Sequence, residues 1–470
     1  MFHSESQKAI AIICITLMQI FMAVKSFPLA DKITRLPGQP SVSFRQFSGY
    51  ISVDEEQERA LFYYLVEAET NPHSKPLVLW LTGGPACSSL GVGAFTEHGP
   101  FKTNGVDLIK NDYSWNKEAN MLYLESPAGV GFSYSANKTF YLNVNDEITA
   151  RDNLIFLRRW FSKFPEYKNR DLFIAGESYA GHYVPQFAQL IIDSNEKFNL
   201  KGIAIGNPVL EFNTDNNAIG EYLWSHGLIS DSTNKLLTSV CNFSRILREA
   251  LIEGGPVSAD CKRVGKQALE EINYNFLDLE YVTGNFCIST INVSTRKFLY
   301  QALGALYQEA GANKYEDCLD KKAPKYLNRK DVQNSLHARL VGVTEWDTCS
   351  SVVNYDPRDQ EIPTIGVVGS LLRHGIRTLV YSGDQDGVLP FISTRSLTEG
   401  LAKELGLKTT IPYRAWFESA QIGGWKQEYG HILTFATIRG ASHAPPSIQP
   451  ERSLLLFKSF LYGKPLPMKP

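Results

Sequence analysis

The chain has 470 residues, 43% of them hydrophobic and 20% charged, which is ordinary globular composition and excludes a disordered or fibrous protein. Its formal net charge is -2 at pH 7, and no run of lysine and arginine is long enough to track a phosphate backbone, so nucleic acid is excluded as a partner.

From the N-terminus, Lys8 is followed by the apolar run Ala9 to Val24 and then by small and turn-forming residues. This predicts a secretory signal peptide over residues 1–26, since the run is short for a membrane span. Residues 27–470 are expected to form one exported domain that leaves the membrane, bound for the extracellular space or the vacuole. With Cys14 lost in the signal, Cys87, Cys241, Cys261, Cys287, Cys318 and Cys349 remain. Six cysteines in an exported chain suggest three disulfides, and their spacing leaves the pairing open. They lack the tight pairs of a zinc site, so neither a metal nor another cofactor is expected. Asn137, Asn242 and Asn292 head N-x-S/T sequons and are candidate glycosylation sites.

Short apolar runs then alternate with amphipathic helical patterns, the signature of an α/β fold with a mostly parallel sheet covered by helices. The predicted strands are Leu77 to Leu81, Met121 to Leu124, Leu172 to Ala175, Gly202 to Ile205, Arg377 to Tyr381 and Leu433 to Ile438. Helical spacing runs through Ile148 to Phe164, and a closing helix, Glu451 to Leu461, lies between Pro450 and Gly463. Over about 211–354 strand signals thin out, predicting a helical cap insertion rather than a second domain.

Gly176-Glu-Ser-Tyr-Ala-Gly181 directly follows a strand and precedes the helix-compatible stretch Tyr183 to Ile192. That placement reads as a nucleophile elbow on an α/β-hydrolase fold, with Ser178 projected from a strained turn. Ala180 departs from the strict final glycine of G-x-S-x-G. On this fold the acid and base follow the serine in chain order. Strand Arg377 to Tyr381 leads to Asp384 and Asp386; Asp386 is preferred as the orienting acid and Asp384 as a turn-former. Strand Leu433 to Ile438 leads to His443, the expected base. Gly83-Gly84-Pro85, after an early strand, supplies an oxyanion loop, with the N–H groups of Gly84 and Tyr179 as donors.

With these residues in place, the sequence strongly resembles the serine carboxypeptidases, particularly the plant serine carboxypeptidase-like enzymes. The resemblance is carried by Trp80-Leu-Thr-Gly-Gly-Pro-Ala-Cys87, Glu97-His-Gly-Pro-Phe101, Asn120 to Tyr134, Gly176 to Pro185, Ile205-Gly-Asn-Pro208, Tyr381 to Asp386 and Gly440-Ala-Ser-His443. It implies an α/β-hydrolase fold and a Ser178, Asp386, His443 triad. It also implies disulfides Cys87 to Cys349, Cys241 to Cys261 and Cys287 to Cys318. Thr82, Gly83, Glu97 and Glu177 would then bind the free carboxylate of a peptide C-terminus. Two carboxyl groups held together share a proton, which predicts a preference for acidic pH.

Three residues depart from the family pattern: Thr82 stands where Asn is usual, Ala86 where Gly is usual and His98 where Asn is usual. Plant acyltransferases of the family that take glucose esters often carry Thr at the first position, though they tend to have Asp where this chain has Glu177. The expected activity is removal of C-terminal residues from peptides or proteins through an acyl-enzyme. The alternatives are a glucose-ester acyltransferase and a secreted binding protein with little activity. The oligomeric state is left open.

Overall fold

Leu77-Val-Leu-Trp-Leu-Thr82 is apolar at almost every position, and a strand of this kind is stable only when both of its faces are covered. The computed structural model describes residues 28–194, 196–253, 256–273, 276–285 and 319–469. In it this segment is β4, buried along its whole length. In chain order the strands are β1 (Lys32–Ile33), β2 (Gln46–Asp54), β3 (Arg59–Val66), β4 (Leu77–Thr82), β5 (Phe101–Thr103), β6 (Leu108–Lys110) and β7 (Asn120–Leu124). They continue with β8 (Tyr134–Ser135), β9 (Leu172–Glu177), β10 (Leu200–Gly206), β11 (Arg377–Gly383), β12 (Thr409–Glu418), β13 (Gln421–Tyr429) and β14 (Leu433–Ile438).

The main sheet runs β1-β2-β3-β7-β4-β9-β10-β11-β14-β13-β12. Its centre, from β7 to β14, is parallel, and antiparallel strands flank it on both sides. This is the α/β-hydrolase fold. Every predicted strand belongs to the parallel centre. Of the flanking strands, β12 and β13 went unread because they carry charges and glycines among their apolar residues and are largely exposed or half-buried, which dilutes the alternation; the buried apolar run of β3 was passed over without such a reason.

One face of the sheet is covered by the helices Asp146–Lys163, Ala180–Asp193 and Ile365–Arg373, through Phe156, Trp160, Val184, Phe187 and Leu371. The other is covered by the π-helical segment Ser89–Glu97 and the helix Pro450–Tyr462, through Leu90, Phe95, Phe457 and Phe460. The first helix begins cleanly because the Asn145 side chain accepts the Ile148 N–H at 2.9 Å and two acids sit in its first turn. Pro185 inside Ala180–Asp193 has no N–H for the Gly181 carbonyl, and the Thr364 hydroxyl donates to that carbonyl instead, at 2.8 Å. After β10, the helices Phe212–Ser225, Asp231–Ser239, Phe243–Leu247 and Ala259–Ile272 gather a separate apolar cluster around Leu223, Ile246, Val264 and Leu269.

Disulfides join Cys87 to Cys349 and Cys241 to Cys261. Cys287, Cys318, Asn292 and the expected signal peptide lie outside the described residues. Asn137 and Asn242 are exposed, each at the start of a short helical turn. Among the described residues, no helix is long and apolar enough to cross a membrane.

Candidate active site

The carboxyl ends of the parallel strands lie along one edge of the sheet, where an open α/β sheet presents its ligand crevice. Ser178 follows β9 there with φ +62°, the left-handed region that costs an L-residue energy and turns its side chain out of the strand. The turn needs close approach. A Cβ on Gly176 would stand 2.3 Å from the Leu81 carbonyl oxygen, and one on Gly181 2.2 Å from that of Val209. Gly176 and Gly181 thus pack tightly on either side of the turn, and Ala180 takes the position the strict motif reserves for glycine. The Ser178 N–H donates to the Gly206 carbonyl at 2.9 Å, tying the turn to β10.

β11 and β14, which are adjacent and parallel, deliver the next two groups. His443 Nδ1 lies 2.7 Å from Asp386 Oδ2, and Asp386 is fully buried. Because that oxygen is an acceptor, Nδ1 carries the proton and Nε2 is left as the basic nitrogen, buried and without a partner among the described residues. Burial alone would favour the neutral ring, but the Asp386 charge and hydrogen bond outweigh it and raise His443 to about 9. Asp384 lies elsewhere: its Oδ1 accepts the Gly440 N–H at 2.6 Å, pinning the loop that carries His443.

Two contributors were missed in the sequence. Asn207, just past β10, donates to Asp386 Oδ2 at 2.6 Å and accepts the Gly383 N–H at 3.1 Å. The Gly-Asn-Pro motif marked the position but not the role. The segment 279–282 crosses both loops: the Leu279 carbonyl accepts from Gly387 at 2.8 Å, the Glu280 carbonyl from His443 N–H at 2.7 Å, and Val282 N–H donates to Gln385 at 3.1 Å. No periodicity or motif announces that strap.

The turn after β4 closes the other side. A Cβ on Gly83 would lie 2.3 Å from the Tyr179 nitrogen, so only glycine lets this loop rest on that amide. Gly84 and Tyr179 line the same cavity as Ser178, about 60 Å³ in volume, whose far walls include Val209, Ile219, Leu247, Val388 and Leu389. Thr82 pairs in register with Glu177, and its Oγ1 accepts the Trp80 indole N–H at 2.9 Å, leaving the hydroxyl hydrogen to point elsewhere. Ala86 sits in the left-handed region at φ +69°.

Glu97 and Glu177 are both almost completely buried, and among the described residues neither Glu97 oxygen nor Glu177 Oε2 has a donor other than the neighbouring carboxyl. Burial raises both carboxyls. Glu177 goes well above the usual range because the Glu97 charge adds to burial, whereas a hydrogen bond from Glu177 and the His443 charge partly offset the rise at Glu97. The shared proton of the pair therefore outlasts the usual carboxyl range. His98 points away from it: the ring stacks on Trp115 at 4.0 Å, meets Trp80 at 4.2 Å and bonds Tyr123 at 3.1 Å. Burial holds its pKa well below the usual histidine range, so the substitution at this position changes the aromatic core rather than the carboxyl pair. Among the described residues, no group of three or more His, Cys, Asp or Glu side chains is arranged to hold a metal ion.

A family model described as serine carboxypeptidase matches residues 37–463. Serine carboxypeptidase-like 45 of Arabidopsis thaliana is 58% identical over 441 residues, spanning 93% of each chain. Serine carboxypeptidase-like 46 of the same plant is 57% identical over 458 residues, spanning 96% of this chain and 97% of the relative. Among solved structures, the prohormone-processing carboxypeptidase Kex1 of Saccharomyces cerevisiae matches with a TM-score of 0.70, over 92% of this chain and 95% of its own. At 22% identity, that likeness is one of fold.

Proposed function

The chain belongs to the serine carboxypeptidase family, and on that premise we propose that it removes residues from peptide C-termini through an acyl-enzyme on Ser178. The observation that carries the reading is the His443–Asp386 pair at the sheet edge where Ser178 stands on its strained turn, with a buried carboxyl pair, both members raised by burial, beside them. Ser178 Oγ attacks the last peptide carbonyl and its proton passes to His443 Nε2. The oxyanion takes the N–H groups of Gly84 and Tyr179. His443 then protonates the leaving nitrogen as the C–N bond breaks. Water, giving a proton to His443, hydrolyses the ester and restores Ser178.

The protonated Glu97–Glu177 pair, with Thr82 and Gly83, receives the substrate's free carboxylate, which favours acidic pH. The cavity beside Ser178, mostly apolar but with Asp215, Asn216 and Gln360 also in its walls, suits an apolar residue on the acyl side of the bond. Helices over about 211–354 form the cap. Two disulfides and exposed sequons at Asn137 and Asn242 support export, to the extracellular space or the vacuole.

Thr82 favours a second reading, acyl transfer from a sugar ester, because it offers a hydroxyl where the family pattern has an amide. The test is kcat/KM on a free-acid peptide, its amidated twin and a glucose ester, for the wild type, Ser178→Ala and Thr82→Asn. A carboxypeptidase cleaves the free acid far faster than the amide and loses both activities in Ser178→Ala. Thr82→Asn should then strengthen free-acid binding by at most about 1.5 to 3 kcal/mol, the range for a hydrogen bond to a charged group. Robust ester turnover, with equal or no activity on the two peptides, would establish the transferase instead.

A further inference from the structure

Behind the nucleophile turn lies a polar cluster that the mechanism above does not use. Asp146, at the start of the helix Asp146–Lys163, is buried and accepts from four side chains. Its Oδ1 takes the Tyr355 hydroxyl at 2.6 Å and the Tyr179 hydroxyl at 3.2 Å. Its Oδ2 takes Gln186 Nε2 at 2.7 Å and His182 Nδ1 at 2.8 Å. The Tyr179 ring is stacked on His182 at 4.7 Å and meets Tyr355 edge-on at 5.5 Å. Burial would raise the Asp146 carboxyl, but the His182 hydrogen bond and charge, with the Tyr355 and Gln186 bonds, hold it below the usual range.

Tyr179 occupies the N-cap position of the helix Ala180–Asp193, yet its side chain makes no capping bond to that helix. The usual device for fixing a helix start is therefore missing, at a residue that follows the strained Ser178. What orients Tyr179 instead is Gly83 packed against its amide in front and Asp146 holding its hydroxyl behind. We propose that Asp146 is a positioning residue for the oxyanion site, setting through the Tyr179 ring the direction in which the Tyr179 N–H points. The cluster also links that N–H to Tyr355 and, through the Asp146 N–H and Asp359 Oδ2 at 2.6 Å, to the segment following the helical insertion. This rests on Ser178 being the nucleophile and the Tyr179 N–H an oxyanion donor.

The experiment compares the wild type with Tyr179→Phe and Asp146→Asn. It reads kcat and KM on a peptide and an ester, the melting temperature, and the affinity of a peptidyl aldehyde, whose adduct with serine places an oxygen in the oxyanion site. Tyr179→Phe keeps the ring and its stacking and loses only the hydroxyl. It should lower kcat about tenfold, less than the roughly 100- to 1,000-fold expected when an oxyanion donor is removed outright. KM should stay within about twofold, and aldehyde affinity should fall in proportion to kcat. Asp146→Asn should lose at least as much; if it fails to fold, Tyr179→Phe decides alone. Unchanged kcat and aldehyde affinity in Tyr179→Phe, whatever its melting temperature, would overturn the proposal, and so would a loss of kcat with unchanged aldehyde affinity. A wild type that neither turns over peptide or ester nor binds the aldehyde would overturn the nucleophile reading, and this proposal with it.

Discussion

Asp386 Oδ2 accepts two hydrogen bonds at once, from the His443 ring at 2.7 Å and from the Asn207 amide at 2.6 Å. Its other oxygen takes the N–H groups of Val388 at 2.8 Å and Leu389 at 3.1 Å. A carboxylate held by donors from three directions has little freedom to swing off the imidazole, which is what an orienting acid requires. Removing the Asn207 amide should loosen it. Asn207 has φ +40°, so Asn207→Gly tests the side chain without adding backbone strain, and Asn207→Ala adds it. Asn207→Gly is expected to lower kcat on an ester by about tenfold and to cost up to about 1.5 to 3 kcal/mol of stability, as a hydrogen bond to a charged group is lost. Steady-state kinetics and urea unfolding check both numbers, and kcat equal to wild type would remove Asn207 from the catalytic geometry.

The two kinds of titrating group predict that kcat and the KM of a free-acid peptide both rise with pH, with opposite effects on kcat/KM. His443 is raised, so its imidazolium persists to higher pH and kcat should climb as the ring gives up that proton. Glu97 and Glu177 are also raised, so their shared proton outlasts the usual carboxyl range and leaves only as pH rises further. KM for a free-acid peptide should therefore increase with pH, because two ionised carboxylates repel the substrate's own, while KM for the amidated peptide stays flat. In Glu177→Gln, which keeps a donor without titrating, the KM of the free acid should lose most of its pH dependence. Parallel KM profiles for the two peptides would refute the carboxyl pair as the carboxylate receptor.

Ala86 offers a prediction about stability. Its φ of +69° places a Cβ where an L-residue is strained by roughly 1 to 2 kcal/mol, while glycine loses about 0.4 to 1 kcal/mol through its freer unfolded chain. Ala86→Gly should therefore stabilise the protein by about 0.5 to 1 kcal/mol, read as a small rise in melting temperature. The buried position also carries contacts at both backbone atoms: its N–H donates to the Tyr183 hydroxyl at 3.1 Å and its carbonyl accepts from Ser350 at 2.9 Å. A fall in melting temperature would show that the methyl's packing outweighs the strain.

The parallel strands were legible because each is a short, mostly apolar or β-branched run bounded by turn residues, and the residues of the candidate site stand at or just beyond their carboxyl ends. Chain order points to Ser178, Asp386 and His443 for that reason, and the residues around Asp386 favour it over Asp384. The flanking strands β12 and β13 were not, since half-exposed strands with interspersed charges leave a weak pattern. His98 shows a different limit. Its neighbour Glu97 belongs to the carboxyl pair, but adjacent side chains take different directions, and the ring went to the Trp80 and Trp115 core.

By itself the sequence determined the family, the strand and helix types along the sheet, and which residue kinds stand at the strand ends, because these depend on local patterns of apolarity and turn chemistry. The tertiary structure alone decided which distant groups meet. Asn207 reaches Asp386 across 179 positions, and Tyr355 reaches Asp146 across 209. The segment at Glu280 lies across the loops of Asp386 and His443. Such contacts follow from the order in which strands join the sheet and from how the inserted helices fold back over it. No spacing along the chain encodes that order, because the pairing of β10 with β11 brings together strands separated by the whole insertion.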